Sequence, residues 1–95
     1  MNKNIITETE INGLKVANIF KSDSTETLLI SLEKNKLFPT HTSPKSTFLV
    51  VLEGDIDFHI ENKKVTLAKH QSFTFQKNIE HYVTANENSK FMIIR

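Results

Sequence analysis

The 95-residue chain contains no cysteine, so it has no disulfide framework, no thiolate metal ligand and no cysteine nucleophile. Its only glycines are Gly13 and Gly54, too few for a glycine-rich phosphate loop or the glycine pair that flanks the serine of a nucleophile elbow. The longest unbroken apolar run, Phe48 to Leu52, is far shorter than a membrane span. The sequence therefore lacks the signatures of thiol, phosphate-loop and membrane-spanning proteins.

The chain also lacks an excess of charge of either sign. Twelve basic and eleven acidic residues give a formal net charge of +1, and of the scattered lysines only Lys63 and Lys64 are adjacent. Nucleic-acid-binding proteins concentrate basic residues in a patch or stripe, so we expect no nucleic-acid partner. The first ten residues have no apolar run after Lys3, which is unlike a signal peptide. We expect a cytoplasmic protein with no membrane partner.

What the sequence does contain is alternation of apolar and polar residues. Ile56, Phe58 and Ile60, for example, alternate with polar side chains. Successive side chains of a strand point to opposite faces, so a period of two predicts strands with one buried face. Asn62 is suited to a positive φ in a tight hairpin turn. The predicted strands lie near residues 4–8, 14–20, 26–33, 46–53, 55–61, 64–68, 72–76, 80–85 and 90–95. Short strands at this spacing predict a single all-β domain, residues 1–95, built as a sandwich or barrel.

A histidine-containing loop precedes the most apolar strand. The segment Pro39-Thr40-His41-Thr42-Ser43-Pro44 leads into Phe48–Leu52, which ends at the turn Glu53-Gly54-Asp55. About 40 residues after His41, His81 opens a further predicted strand behind a polar loop.

This arrangement resembles the cupin family from about Leu28 to the end of the chain. Cupins carry a His-x-His pair, a glutamate four residues later and a turn ending in glycine, and a second motif supplies a third histidine. His41 matches the first histidine, Gly54 the glycine and His81 the third histidine, whereas Ser43 stands at the second histidine and Thr47 at the glutamate. The resemblance implies a double-stranded β-helix, a jelly-roll barrel.

The substitutions bear on metal binding. An intact cupin set holds iron, manganese, nickel or zinc, but neutral hydroxyls are poor ligands for such ions. Of the matched positions only His41 and His81 remain candidate metal ligands, so no cofactor is assigned beyond a weakly bound divalent transition metal. Small-molecule sites are common at barrel mouths. We therefore expect a ligand site lined by His41, Ser43, Thr47 and His81.

Three functions are compatible with this sequence. The favoured one is a barrel that binds a small polar or amphipathic molecule, with no catalytic residue assigned. The alternative is a metal-assisted enzyme of the dioxygenase or isomerase type, in which His41 or His81 is the acid–base group or the metal anchor. A third is a structural module whose interior is filled by side chains. We expect a homodimer, because open sheet edges need protection and because small proteins resembling cupins commonly pair.

Overall fold

The structure, a computed structural model, describes residues 4–95. Helix α1 spans Ile5–Glu8. The strands are β1 (Leu14–Lys21), β2 (Glu26–Leu32), β3 (Leu37–His41), β4 (Thr47–Glu53), β5 (Asp55–Ile60), β6 (Lys63–Ala68), β7 (Ser72–Phe75), β8 (His81–Ala85) and β9 (Ser89–Ile94).

The strands form two antiparallel sheets. One has five strands in the order β1-β2-β9-β4-β7, and the other has four in the order β3-β8-β5-β6. From β2 onward each strand pair β2–β3, β4–β5, β6–β7 and β8–β9 crosses from the five-stranded to the four-stranded sheet or back. The two sheets therefore wind together as a jelly roll, and the predicted all-β, cupin-like barrel is confirmed.

The core lies between the inner faces of the sheets, as the alternation of apolar and polar residues predicts. Ile56, Phe58 and Ile60 of β5 are all buried, and so are Phe91 and Ile93 of β9. Each fully buried side chain of this size contributes roughly 1.5–3 kcal/mol. Since these residues come from central strands of both sheets, their packing joins the sheets into one unit.

The β5–β6 hairpin turns in two residues. Glu61 and Asn62 have φ values of 51° and 60°, and Ile60 pairs with Lys63 across the turn. Two consecutive positive φ values are those of a type I′ turn, whose twist matches that of the strands it joins. The predicted conformation of Asn62 is confirmed.

Two local predictions are wrong. Residues 4–8 were expected to form a strand, but Asn4 caps a helix there: its side-chain oxygen accepts from the Thr7 N–H, and its own N–H donates to the Glu8 carboxylate at 2.8 Å. Such local hydrogen bonds favour a helix start over a strand. Strand β3 was missed because Pro39 interrupts it; it lies at a sheet edge, where proline is tolerated.

The segment that contains α1 covers the outer face of the five-stranded sheet. Lys90, only 4% exposed, donates from Nζ to the carbonyl oxygens of Ile6 at 2.7 Å and Thr7 at 3.3 Å. Ser31 Oγ donates to the Glu10 carbonyl at 2.8 Å. These bonds satisfy polar groups that would otherwise be buried without partners. Within residues 4–95 no helix has the length and apolar character that crossing a bilayer requires.

The turn at Gly54 generates a stability prediction. Gly54 has φ +88°, and a Cβ there would overlap Ser89 Oγ and the Asn88 carbonyl oxygen. Gly13 also has a positive φ, +66°, but no atom lies within 4 Å of the Cβ position. Left-handed backbone costs a non-glycine residue about 1–2 kcal/mol, and overpacking adds about 1–3 kcal/mol.

We expect Gly54→Ala to lower the free energy of unfolding by about 2–5 kcal/mol and Gly13→Ala, the matched control, by about 1–2 kcal/mol. Urea unfolding followed by circular dichroism measures both. Equal losses in the two variants would show that the contact with Ser89 does not constrain the turn.

Candidate functional site

The four predicted site residues lie at one end of the barrel, which we call the histidine end. His41 ends β3 and His81 begins β8, and the two strands pair His41 with His81. Ser43 follows in the β3–β4 loop, and Thr47 begins β4, where it pairs with the inward-facing Phe75. The fold therefore brings all four to the same end.

The two imidazoles meet through their Nε2 atoms, which are 3.0 Å apart. Their Nδ1 atoms are held by backbone carbonyl oxygens, that of His41 by Pro39 at 2.6 Å and that of His81 by Ile79 at 2.9 Å. A carbonyl oxygen only accepts, so each Nδ1 carries a hydrogen and each neutral ring presents an Nε2 lone pair to the other. Two lone pairs at this distance repel, and one cation between them, a proton or a metal ion, relieves the repulsion.

Aromatic rings enclose this pair. Phe38 stacks on His41 with ring centroids 4.4 Å apart, and Phe58 and Phe75 lie 5.3 Å and 4.6 Å from His81. His81 is 3% exposed. This burial lowers the pKa of His81 from its usual value; the Ile79 carbonyl partly opposes the shift, and the charges of His41 and Arg95 add to it. A charge on the neighbouring imidazole therefore adds to the effect of burial in disfavouring a charge on His81.

The two hydroxyl groups form a separate cluster. Thr47 Oγ1 lies 3.1 Å from Ser43 Oγ, and both lie within 2.9 Å of the Lys45 carbonyl oxygen. Ser43 and Thr47 are 2% and 1% exposed. In residues 4–95 no hydrogen bond joins either hydroxyl to the histidines. The hydroxyls close the β3–β4 loop, and contact with a ligand, as predicted from the sequence, would require them to exchange these bonds.

Arg95 is a residue at this end that the sequence reasoning missed. Its Nη1 lies 3.3 Å from Ser43 Oγ, and its Nε donates to Glu26 Oε1 at 2.9 Å. That hydrogen bond, with the Arg95 charge, lowers the pKa of the Glu26 carboxyl against the opposing effect of burial. The signal was present: Phe91, Ile93 and Arg95 share one face by alternation, which puts a guanidinium in line with two core residues.

Two cavities adjoin the histidine end. The first, here called the outer groove, has about 600 Å³ and runs over the outer face of the four-stranded sheet past Tyr82, His59 and Lys64 to His81. The second, here called the seam cavity, has about 450 Å³ and lies between β6 and β7, lined mainly by Ile60, Val65, Phe73, Phe75 and Ile79. Of the four predicted site residues only His81 lines either of them.

The histidine end offers a metal ion two imidazole nitrogens as ligands. In the described range, residues 4–95, no three histidine, aspartate or glutamate side chains converge. The two Nε2 atoms nevertheless fit one ion: nitrogen ligands at 2.0–2.1 Å from a metal and at right angles to each other would be about 2.9 Å apart, and these are 3.0 Å apart. Two neutral ligands give weak binding at best.

The lowered pKa of His81 predicts that acid destabilises the fold. Below about pH 6.5 the unfolded chain binds a proton at this histidine that the folded chain takes up only at lower pH, so stability falls as pH falls. We expect urea midpoints, measured with EDTA from about pH 7.5 to about pH 5, to decrease less in His81→Gln than in wild type. His70→Asn, at a positive-φ turn that asparagine tolerates, should keep the wild-type slope. A His81→Gln slope equal to wild type would contradict the assignment.

Comparisons with known proteins agree with this fold. The family model described as "Cupin domain" matches residues 28–94. No curated protein matches the chain. An RmlC-like cupin protein from Desulfovibrio desulfuricans superimposes with a TM-score of 0.87 at 14% identity, covering 99% of this chain and 93% of that chain. A cupin-2 domain containing protein from Shewanella frigidimarina gives a TM-score of 0.80 at 22% identity, covering 100% and 92%.

A conserved protein of unknown function from Streptococcus pyogenes has a TM-score of 0.79 at 19% identity, covering 90% of this chain and 75% of that chain. Identities this low establish the fold alone. The family-model match, however, spans most of the chain and includes His41, Ser43, Thr47, Gly54 and His81. The chain belongs to the cupin family.

Proposed function

We propose that this cupin binds a small molecule at the histidine end, with His41 and His81 contacting the ligand or a cation that the ligand shares. The observation that carries the proposal is the 3.0 Å approach of two Nε2 lone pairs, both fixed in direction by carbonyl bonds at Nδ1. Such an arrangement is unfavourable by itself and favourable once a cation or a hydrogen-bond donor lies between the rings.

In this proposal Ser43 and Thr47 form the polar wall of the site. Their mutual hydrogen bond and the contact from Arg95 hold the β3–β4 loop against the barrel. A ligand with a carbonyl or hydroxyl group could take over the hydrogen bond from either hydroxyl. These residues therefore remain predicted ligand contacts, second to the two histidines.

A metal-assisted enzyme is the second candidate, and one observation favours it. Metal-ligating histidines usually donate their other ring N–H to a backbone carbonyl or carboxylate, as both His41 and His81 do. A divalent ion held by the two Nε2 atoms would supply Lewis acidity to a bound ligand. Because Thr47 replaces the carboxylate, the protein itself would offer no anionic ligand, and we assign no catalytic residue.

A metal titration tests the cation-binding site. We expect nickel or zinc to raise the melting temperature of wild-type protein purified without an affinity tag, since a ligand at 100 times its Kd stabilises the native state by about 2.7 kcal/mol. His41→Ala should abolish the shift. His59→Ala, on the outer face of the same sheet, should retain it.

An equal shift in His41→Ala would mean that the metal binds elsewhere and would contradict the site. No shift at millimolar metal would contradict metal binding by the pair and would remove the metal-assisted enzyme.

We further propose that the protein is a homodimer joined through β1. Leu14 and Val16 pair with the fully buried Leu32 and Ile30, so they point to the core side of the sheet. They are nevertheless 37% and 51% exposed, so the rest of the described chain leaves them largely uncovered. In residues 4–95 β1 pairs only with β2, which leaves its other edge unpaired. Antiparallel pairing of two β1 strands about a twofold axis would cover both the edge and the apolar side chains.

Light scattering after size-exclusion chromatography measures this association. We expect a wild-type dimer and a Val16→Glu monomer, since a carboxylate buried at the interface would lack a partner. Phe48→Glu, at a side chain 41% exposed on a different strand of the same sheet, is the matched control and should remain dimeric. A monomeric wild type, or dissociation of the control alone, would contradict the β1 interface.

A further inference from the structure

Arg95 is the only arginine of the chain, and its side chain lies at the histidine end. It continues the pairing of β2 with β9, because its backbone N–H donates to the Glu26 carbonyl at 2.9 Å and its carbonyl accepts from the Glu26 N–H at 2.6 Å. Phe91 and Ile93, which precede it at a period of two, are buried in the core. Arg95 and Glu26 therefore point to the inner side of the five-stranded sheet, toward the sheet that carries the two histidines.

The guanidinium of Arg95 is only partly used by the protein itself. Nε donates to Glu26 Oε1 at 2.9 Å, and Nη1 lies 3.3 Å from Ser43 Oγ. Among residues 4–95 Nη2 makes no hydrogen bond, although no buried side-chain nitrogen or oxygen in that range lacks a partner. Nη2 is therefore in contact with solvent, and a ligand that comes from solvent can reach it.

The open part of the guanidinium suits a carboxylate. Arginine binds carboxylates best through two parallel N–H···O bonds from its planar fork. Glu26 receives only the Nε bond, so Nη1 and Nη2 each retain an N–H group for the two oxygens of a second carboxylate. The side chains of Arg95 and Glu26 are 23% and 24% exposed, and His41 is also only partly buried. An anion can therefore approach this end of the barrel from solvent.

Arg95 and the two histidines also act on one another electrostatically. Burial is the main cause of the lowered pKa of His81, and the positive charges of His41 and Arg95 add to it. The guanidinium is thus close enough for its charge to act on the imidazoles. A carboxylate beside Arg95 would weaken this repulsion, so an anion at Arg95 and a cation between the two rings would each favour binding of the other.

We propose that the ligand of the histidine end is a small organic acid whose carboxylate is bound by Nη1 and Nη2 of Arg95. A hydroxyl group elsewhere in the same molecule donates to the Nε2 lone pair of His41. The inference rests on the proposed function, because it names the class of ligand that the histidine end would bind. It makes Arg95 the main polar contact of the ligand, ahead of Ser43 and Thr47, whose hydroxyls are bonded within the β3–β4 loop.

Glu26 distinguishes this role of Arg95 from a purely structural one. If the ion pair only fastened the end of β9 to β2, loss of either partner would disturb the same contact, and both losses would change ligand binding in the same direction. If Arg95 binds a ligand carboxylate, Glu26 repels that carboxylate and competes for the guanidinium. Neutralising Glu26 and neutralising Arg95 should then change the affinity in opposite directions.

The probes are lactate and 4-hydroxybutyrate, titrated separately into the full chain at constant ionic strength. Both carry a carboxylate and a hydroxyl group, at different separations. Because the chain has one arginine, its side-chain Nε–H gives a single NMR signal that reports Arg95 directly. We expect a saturable shift of this signal with at least one of the two acids. The amide of the same acid, which lacks the negative charge, should produce no such shift.

Amide signals of residues 41–47 measure the affinity of each variant for the acid that binds. Arg95→Gln should weaken binding at least about tenfold, the loss expected for hydrogen bonds to a charged group. Glu26→Gln should strengthen binding about twofold to fivefold, the effect of one partly exposed charge. Lys64→Gln removes a positive charge from the outer face of the four-stranded sheet and should leave the affinity unchanged.

Melting curves identify any variant that fails to fold, and the wild-type Arg95 signal tests the contact without any substitution. Equal weakening in Arg95→Gln and Glu26→Gln would overturn the proposal and indicate a structural ion pair. So would equal binding of the amide, tighter binding of inorganic phosphate, loss of binding in Lys64→Gln, or the absence of a saturable shift with either acid.

The two proposals can fail separately. Acid binding that is lost in Arg95→Gln but kept in His41→Ala supports the carboxylate contact of Arg95 and contradicts the histidine contact. A melting shift with metal that is lost in His41→Ala, without binding of either acid, supports the histidine site and contradicts this inference.

Discussion

The pairing of β3 with β8 determines what this end of the barrel can do. It places His41 opposite His81, and the carbonyl groups of Pro39 and Ile79 then orient both rings so that their Nε2 atoms face each other at 3.0 Å. The pairing is irregular between Phe38 and His41, so the backbone bends just where the imidazole must turn inward. A side chain positioned by the strand, a tautomer selected by a carbonyl and an aromatic enclosure together produce the geometry on which the proposed cation site rests.

The same end shows how a family fold persists after its usual ligands are replaced. Ser43 and Thr47 stand at positions where the cupin pattern has a histidine and a glutamate, and they bond to each other and to the Lys45 carbonyl instead of pointing at an ion. Small hydroxyl side chains can be buried if their hydrogen bonds are made locally, whereas an isolated carboxylate could not. The fold therefore loses metal ligands at this end without leaving a buried polar group unpaired.

Most of the fold could be predicted because alternation is a local property that burial enforces. Ile56, Phe58 and Ile60 lie inward as their spacing requires, and eight predicted strands coincide with β1, β2 and β4 to β9. Strand β3 was missed because it contains Pro39, and proline is rare in strands except at a sheet edge. Helix α1 was missed because its capping hydrogen bonds outweigh the β-propensity of its two isoleucines. The site was predicted in part: spacing identified His41 and His81, but nothing local indicates that two hydroxyls bond to each other or that the Arg95 guanidinium reaches Ser43.

Lys90 has a consequence for the mobility of the fold. Its ammonium group is covered by the carbonyl groups of Ile6 and Thr7, and Glu53 lies 3.7 Å away. These contacts are hydrogen bonds and an ion pair, and water can replace each of them if the segment detaches. Detachment of residues 4–10 would break these hydrogen bonds without breaking the strand pairing of either sheet, so we expect this segment to exchange its amide hydrogens before the barrel does. Directional hydrogen bonds fix the position of the amino-terminal segment, and their loss alone would let it open while the core stays folded.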